Sequence, residues 1–519
     1  MPLVKRVRRL PSTCSKRDLS ATVTPAVTEE DVGHDMQPQD EARGNQCRTM
    51  DDLPVEWVQQ ILQFISITDL FVCMSMSSVV RMAAILEIKT RDCLIFGARG
   101  EHVDLLDMVT ASQQMAEDQM QSLLMMQNLK YLCIHDSTTH RVMDLIEQNA
   151  ATLKSLNTNW WPPVLSRSGL CIVYPKLVRL SCPYFDAAIA AACPQLSYLN
   201  LRHSDLYEIR PQPQIPNVHM PSLSAFCTDS YCHEQELPPE GLHWFIEKNA
   251  ATLISLSIPG YDLPRGHDGT VVYSSLKRLY CRSMNADDAS VCPVLEKLSV
   301  NNVSSPLMTW NLPAETMRKL RISFFPESRM QVRQLMAGIC HLSELEKLSI
   351  TESDWWPGWT GEGHKRFAVT DNEIGPLFRF LHKLRDVKLI FLTDSGIESF
   401  DRIIKVLVKT NPDLDTLRIV GSNISRAGLE SLSELRYLTS LSLDVKGNLT
   451  ADDFVSMLRG KLRHVLEYLS VYSWEKMKPV REEVKSVNNE RMDMLPPTCE
   501  LFFQQFPELH DDDHDDRAD

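Results

Sequence analysis

The sequence has no long apolar segment and no hydrophobic core near its amino terminus. No run approaches the roughly 18 consecutive apolar residues that a transmembrane helix needs. The basic residues at positions 5, 6, 8 and 9 are followed by Ser, Thr and charged residues, unlike the apolar core of a secretory signal peptide. We therefore expect no membrane partner and a location in the cytoplasm, the nucleus or both. In those compartments the 14 cysteines would be reduced thiols.

Motifs that mark catalytic, phosphate-binding or metal sites are also missing. The sequence contains no Cys-x-x-Cys, no Gly-x-x-x-x-Gly-Lys-Ser/Thr, no His-Glu-x-x-His and no Gly-x-Ser-x-Gly. The nearest cysteines, Cys227 and Cys232 beside His233, do not supply the four ligands of a zinc site. The sequence thus predicts no catalytic residue, no metal site and no cofactor, and a protein that is not itself an enzyme.

Basic residues are outnumbered by acidic ones, and the formal net charge is −14. This balance argues against a general nucleic-acid binder, so we expect no nucleic-acid partner. Residues 1–50 mix Pro, Thr, Gln, Asp and Arg without apolar periodicity, which predicts a disordered polar tail. Residues 510–519 hold six aspartates and predict a second, acidic tail.

A recurring Leu-x-x-Leu-x-Leu pattern, with conservative apolar replacements, dominates the chain between these tails. Its spacing averages about 26 residues, within the range of leucine-rich repeats. Fourteen copies begin at Leu129, Leu153, Leu177, Leu196, Leu223, Leu253, Leu276, Leu295, Met317, Leu345, Leu384, Leu414, Leu438 and Leu466.

The last two leucines of each copy alternate as in a β-strand and point to one face. A single unit cannot bury that face, but stacked units form one continuous core. The sequence therefore predicts an α/β leucine-rich-repeat solenoid, with a curved parallel sheet inside and helices outside. A longer duplication is also visible, because Glu-x-Asn-Ala-Ala-Thr-Leu occurs at residues 147–153 and again at 247–253.

The segment before the repeats has the spacing of short amphipathic helices. Val58, Ile61, Leu62 and Ile65 follow the i, i+3, i+4, i+7 pattern, and Ser77 or Ser78 is suited to cap a later helix. Helices this short need a partner surface to be stable. An ordinary helical cap on the repeats remains an alternative interpretation of this segment.

Leu53-Pro54-x-Glu56, then Ile61-Leu62-x-Phe64-Ile65 and Asp69-Leu70, resembles an F-box. An F-box followed by leucine-rich repeats is the order found in the F-box/leucine-rich-repeat family. One departure from the family pattern concerns the third helix, where Ser77-Ser78-Val79-Val80-Arg81 stands instead of the usual Cys, basic residue and Trp. The resulting organisation is a tail (1–50), F-box helices (51–86), a linker and cap (87–128), repeats (129–475) and an acidic carboxyl-terminal segment (476–519).

The resemblance implies the substrate-recognition subunit of an SCF-type E3 ubiquitin ligase, which performs no chemistry itself. Its F-box would bind the adaptor subunit and, through it, the cullin scaffold, while the repeats would bind the substrate protein. The implied adaptor-binding residues are Leu53, Pro54, Ile61, Leu62, Ile65 and Leu70. The alternative is a leucine-rich scaffold or inhibitor that binds protein partners without ligase assembly.

The strand pattern also predicts which side chains face the concave side of the sheet. In this acidic chain those positions are mostly basic, with few acidic residues among them, which favours an acidic or phosphorylated substrate. Lys and Arg that merely keep an exposed sheet soluble are the alternative. The predicted substrate-binding residues of this surface are Arg179, Arg202, Arg278, Tyr280, Arg282, Lys297, Lys319, Arg321 and Lys347.

Two tryptophan clusters follow predicted strands on the same rim of the solenoid. Loops at such a rim often carry function, and clustered Trp with Pro would form a rigid apolar contact surface. Packing of these side chains against the insertions that contain them is the alternative. The rim residues predicted to bind substrate are Trp160, Trp161, Trp355, Trp356 and Trp359.

Overall fold

A computed structural model of the full chain describes the repeats and part of the segment before them. The described residues are 53–63, 70, 73, 76–96, 110–111, 123–134, 140–158, 171–202, 215–228, 241–266, 271–284, 291–302, 312–324, 329–352, 369–391, 399–445, 449–458, 462, 465–473 and 500–505. The tails predicted at 1–50 and 510–519 lie outside these residues.

One 17-stranded sheet runs through the repeats. Its strands are β1 (Cys93–Phe96), β2 (Thr110–Ala111), β3 (Tyr131–Ile134), β4 (Ser155–Thr158), β5 (Arg179–Cys182), β6 (Tyr198–Leu201), β7 (Ala225–Thr228), β8 (Ser255–Ile258), β9 (Arg278–Ser283), β10 (Lys297–Asn302), β11 (Lys319–Phe324), β12 (Lys347–Glu352), β13 (Asp386–Ile390), β14 (Thr416–Ser422), β15 (Ser440–Val445), β16 (Tyr468–Ser473) and β17 (Glu500–Gln505). From β3 to β17 each strand pairs in parallel with the next one in the chain, and β1 pairs with both β2 and β3. The predicted leucine-rich-repeat solenoid is confirmed.

The register of the sheet places the same motif position side by side on neighbouring strands. Leu256 pairs with Leu279, Leu279 with Leu298, and Leu298 with Leu320, and all four side chains are at most 3% exposed. A shift by one residue would turn every apolar side chain to the solvent, so burial fixes this register. Each of the fourteen predicted copies contains a strand that begins two residues after the copy's first apolar residue.

Short helices return the chain between many of the strands. They are α3 (His140–Asn149), α4 (Ala187–Ala192), α5 (Leu242–Asn249), α6 (Arg329–Cys340), α7 (Asp371–Ile374), α8 (Asp401–Thr410), α9 (Arg426–Leu432) and α10 (Ala451–Leu458), with a 3-10 turn at Leu377–Arg379. The return from β8 to β9 is not helical in its described residues, 259–266 and 271–277. The outer layer is therefore less regular than the sheet.

The segment before the repeats contains α1 (Val55–Leu62) and α2 (Ser78–Thr90). Pro54 stands at the N-cap of α1, and the Ser77 hydroxyl caps α2 by accepting a hydrogen bond from the Val80 amide.

Three strands were not predicted as repeats: β1, β2 and β17. The last of these escaped the motif because Thr498 occupies the position where other copies have their first apolar residue, although Leu501 pairs in register with Leu469.

Buried asparagines connect the returning helices to the preceding repeat. At the end of α5, the Asn249 side chain accepts from the Met220 amide at 2.7 Å and donates to the Val218 and Phe245 carbonyls. Asn149, in the duplicated motif, makes the equivalent three hydrogen bonds. Both side chains are fully buried, so they satisfy backbone groups that water cannot reach.

We predict that Asn249→Ala lowers the free energy of unfolding by about 2–4 kcal/mol, because it leaves buried backbone groups without partners. Urea denaturation followed by circular dichroism measures the change. The matched control is Asn423→Ala, which removes an exposed asparagine and should change stability by less than about 0.5 kcal/mol. Equal midpoints for the two variants would contradict the assigned role.

Candidate basic binding site on the sheet

The open face of the sheet, opposite the buried leucines, carries a row of basic side chains on four consecutive strands. The register pairs Arg278 with Lys297, Lys297 with Lys319, and Lys319 with Lys347. Neighbouring strands lie about 4.8 Å apart, so like charges stand next to one another along this row. We call these four residues, Arg278, Lys297, Lys319 and Lys347, the basic ladder.

The position directly before each of these strands and before β13 carries a different pattern of charge. Backbone hydrogen bonds connect residue 277 to 296, 296 to 318, 318 to 346, and 346 to 385, so these positions also form a row. Charge alternates strictly along it: Lys277, Glu296, Arg318, Glu346, Arg385. Lys277 Nζ lies 2.8 Å from Glu296 Oε1, for example. One row of the sheet thus neutralises its charges strand by strand, whereas the basic ladder does not.

A cavity of about 410 Å³ lies over the basic ladder. Its lining crosses six successive strands, from Ser255 on β8 to Lys388 on β13. Besides the ladder it includes Arg321 and Lys388 as further cations, and Asp386 is the one carboxylate among the described lining residues. Asp386 Oδ2 accepts from Lys347 Nζ at 2.8 Å. The cavity therefore combines six cations with a single carboxylate.

The pKa values of two lysines in this cavity are lowered by their surroundings. Burial lowers the pKa of Lys297, and the positive charges of Lys319 and Arg278 lower it further. Burial also lowers the pKa of Lys388, with Arg418 and Arg321 as the next causes. Both shifts mean that the protonated forms are disfavoured where they stand, and that a bound anion would relieve the repulsion.

Neutral polar groups complete the cavity. The Tyr280 hydroxyl accepts a hydrogen bond from Asn301 Nδ2 at 3.2 Å, which leaves its own O–H to donate. Asn301 Nδ2 also lies 3.4 Å from the Pro259 carbonyl oxygen, so the amide that holds Tyr280 is itself tied to the backbone. Ser349 Oγ is buried and has no hydrogen-bond partner among the described residues. Oxyanions accept hydrogen bonds from donors of this kind.

The other predicted substrate-binding residues lie apart from this cavity. Arg179 is on β5, next to Tyr198 and Ser155 in the register, and Arg202 directly follows β6. Arg282 is paired with Asp262, with Nε and Oδ1 3.2 Å apart. The structure thus concentrates the basic surface on β9–β13 instead of spreading it over the whole face. The strand pattern also predicts Lys388 on the concave face, outside the predicted substrate-binding set, and the structure adds it to the site because it lines the cavity.

The predicted adaptor-binding residues separate into exposed and buried ones. Pro54 is exposed and Ile61 is 44% exposed, and Leu53 is half-buried. Leu62 and Leu70 are instead 2% and 0% exposed in the chain's own core, so we remove them from the docking surface. Ile65 lies outside the described residues.

The structure adds one apolar residue to this surface that the pattern did not single out. Trp57, one helical turn before Ile61 on α1, is 62% exposed. A tryptophan four residues from an isoleucine was the available signal, because side chains at that spacing share one face of a helix.

The rim tryptophans predicted to bind substrate all lie outside the described residues: Trp160, Trp161, Trp355, Trp356 and Trp359. No helix in the described part of the chain is long and apolar enough to cross a membrane. The described residues also contain no cluster of His, Cys, Asp or Glu that could hold a metal ion.

Four free cysteines of the repeats are buried. Cys182, Cys193, Cys281 and Cys292 are each 0% exposed. Burial raises the pKa of Cys193 to about 12 and raises that of Cys182 as well. The thiols of Cys182 and Cys193 therefore stay protonated and are poor nucleophiles, and all four side chains lie in the core.

Comparison with known proteins finds similarity in solved structures only. No family model and no curated protein matches the sequence. Among solved structures, the chain is similar to the Rad7 and Elc1 complex in yeast, with 14% identity over 72% of this chain and 79% of that chain and a TM-score of 0.38. For the TLR13–ssRNA13 complex the identity is 13% over 73% of this chain and 58% of that chain, and the TM-score is 0.38. For the Drosophila Toll–Spatzle complex the identity is 14% over 73% of this chain and 57% of that chain, and the TM-score is 0.30. Similarity at this level does not extend to partners or function.

We predict that Lys297→Met stabilises the free protein by about 0.5 kcal/mol at neutral pH, since like charges on paired strands are destabilising. The folded-state pKa of Lys297 is lowered, so the penalty is complete while folded Lys297 is protonated, falls as pH rises above that lowered value, and is lost only above the unfolded-state pKa. The gain should therefore shrink between neutral pH and the ordinary lysine pKa of about 10.4.

Urea denaturation at neutral and alkaline pH measures this difference. Lys277→Met is the matched control, because it removes a lysine that is paired with Glu296, and it should not stabilise the protein. A destabilising effect of Lys297→Met, or a gain that does not depend on pH, would show that the basic ladder carries no repulsive cost.

Proposed function

We propose that this chain is the substrate-recognition subunit of an SCF-type E3 ubiquitin ligase. The segment before the repeats would bind the adaptor and, through it, the cullin scaffold, and the open face of the sheet would bind the substrate protein. The chain itself would catalyse no reaction. It would raise the effective concentration of substrate lysines near a ubiquitin-loaded enzyme.

The observation that carries this proposal is an apolar surface on α1 of the F-box-like segment. Trp57 and Ile61 are 62% and 44% exposed on one side of the helix, whereas Val58 and Leu62 are buried against the rest of the chain. Large side chains of this kind are unfavourable in water unless a partner covers them. Met82 on α2 is 52% exposed and adds to the apolar surface of the segment.

A polar network keeps α1 and α2 in a fixed relation. Glu87 is 7% exposed; its Oε1 forms an ion pair with Arg91 Nε at 2.8 Å, and its Oε2 accepts a hydrogen bond from Gln59 Nε2 at 3.4 Å. Arg91 Nη2 donates to the carbonyl oxygen of Gln63 at 2.7 Å, just after α1 ends. A buried carboxylate held in this way stabilises the pair of helices as one unit.

The same unit continues directly into the sheet. Only two residues separate the end of α2 from β1, and the Asp92 carbonyl accepts from the amides of Lys130 and Tyr131 at 2.8 and 2.9 Å. Lys130 Nζ also lies 3.0 Å from Asp92 Oδ2. A receptor that must present its substrate to an enzyme on the adaptor side benefits from such a short connection, because a long flexible one lowers the effective concentration.

A leucine-rich scaffold that binds partners without ligase assembly is the second candidate. It is favoured by the departure of Ser77-Ser78-Val79-Val80-Arg81 from the family pattern and by the burial of Leu62 and Leu70, which leaves fewer apolar side chains for an adaptor. Adaptor binding separates the two candidates.

We predict that the full chain co-purifies with the adaptor and cullin subunits, and that Trp57→Ser/Ile61→Ser abolishes this. Both side chains are exposed, so the variant should fold normally while it loses the apolar contacts that a partner would cover. Affinity purification from cells that co-express the three proteins measures the effect.

Trp244→Ser is the matched control, since Trp244 is 48% exposed on α5 of the repeats, away from the F-box-like segment. It should co-purify as the wild type does. If the wild-type chain retains neither subunit, or if the double variant retains both, the scaffold becomes the better account of this protein.

A further inference from the structure

We propose that the cavity over the basic ladder binds an extended, phosphorylated segment of the substrate protein, with at least two phosphates or one phosphate flanked by acidic residues. This inference names the substrate class for the repeats. It rests on their proposed role as the substrate-binding surface, but it does not require that the adaptor binds.

The arrangement of charge on the sheet argues against solubility as a sufficient reason for the ladder. The row that contains Lys277, Glu296 and Arg318 alternates in sign and is therefore soluble without repulsion between strands. The ladder residues follow directly, as the first residues of four consecutive strands, and all four carry a positive charge. A fold that can alternate charges at one position and does not at the next is expected to use the unmatched position for a ligand.

The amount of charge points to phosphate. One carboxylate lines the cavity beside six cations, and it is already paired with Lys347. A single acidic side chain would bring one negative charge, whereas each phosphate brings about 1.5 to 2 at neutral pH and three acceptor oxygens. Two phosphates, or one with acidic neighbours, would bring the cavity close to neutrality.

The spacing of the cations suits the same ligand. Adjacent ladder residues lie on strands about 4.8 Å apart, so two of them can contact different oxygens of one phosphate. Arg321 and Lys388 lie two residues beyond the ladder position on β11 and β13, on the same face of the sheet, and each can contact a phosphate from a second side. The Tyr280 hydroxyl, held by Asn301, can donate to a phosphate oxygen at the β9 end of the cavity.

The length of the cavity favours a peptide over a small phosphate ester. The lining covers six strands, which corresponds to about 24 Å across the sheet. An extended peptide rises about 3.4 Å per residue, so roughly seven residues would span it. A small phosphate ester would occupy only part of that length and leave some of the six cations without a partner.

Fluorescence anisotropy with two degenerate peptide pools tests the inference on the full-length chain. Both pools are fluorescein-labelled nine-residue peptides with acidic flanks; one carries two phosphoserines three residues apart, and the other has Glu at those positions. The variants are Lys297→Met/Lys319→Met in the ladder, and Lys277→Met/Lys383→Met as a control with the same change in net charge. Both control lysines are exposed and paired with glutamates.

We expect the wild type to bind the phosphorylated pool at least about tenfold more tightly than the Glu pool, as charge-assisted hydrogen bonds to phosphate predict. The ladder variant should lose about tenfold to a hundredfold in affinity, and the control variant less than about threefold. Sodium tripolyphosphate is added as a competitor, and we expect it to displace the peptide only at concentrations well above the peptide's own Kd.

Three results would overturn the inference: equal binding of both pools, equal losses in the two variants, or binding of tripolyphosphate that is tighter than that of every peptide. The last result would identify a free polyphosphate as the ligand. Adaptor co-purification of the same variants is measured separately, so a failure here is distinguishable from a failure of ligase assembly.

Discussion

The structure depends on one constraint, the register that the buried leucines impose on a parallel sheet. In the strand register Leu279 lies opposite Leu256 on one side and Leu298 on the other, and the same alignment continues from strand to strand. Because each repeat buries its apolar side chains only against its neighbours, no strand can shift without exposing them. The buried asparagines, such as Asn249, act on the same junctions by satisfying the backbone between a returning helix and the preceding repeat.

A fixed register also determines which side chains meet on the open face. Any residue type that recurs at one motif position becomes a row with a spacing of about 4.8 Å. The row of Lys277 and Glu296 is stabilising because its charges alternate, and the ladder that contains Lys297 is destabilising because its charges do not. The free protein thus retains repulsion between the ladder cations, and a bound polyanion would replace this repulsion with attraction. The proposed binding and the stability of the free protein therefore oppose each other at Lys297, whereas Lys277 lies outside the cavity lining and is stabilised by its ion pair.

The sequence predicted the sheet well because a strand's alternation and the repeat period are both local signals. Every predicted copy of the repeat motif, such as the one that begins at Leu276, contains a strand. Strand β17 was missed because Thr498 stands where the other copies have their first apolar residue. The concave basic residues were predicted one by one, but the cavity arises from pairing between repeats up to 39 residues apart, such as Lys347 with Asp386. Burial of Leu62 and Leu70 was not predictable either, since an amphipathic pattern does not tell which partner covers its apolar face.

The titration of Lys297 itself tests the link between this electrostatic cost and binding most directly. Lysines of the full-length chain are dimethylated with carbon-13 formaldehyde, and the Lys297 signal is assigned by its loss in Lys297→Met. The account predicts that this signal titrates below the ordinary lysine pKa in the free protein and moves upward when the diphosphorylated peptide pool is bound, since an anion favours the protonated form. A Lys297 signal that titrates with the exposed lysines and does not respond to the peptide would contradict the account.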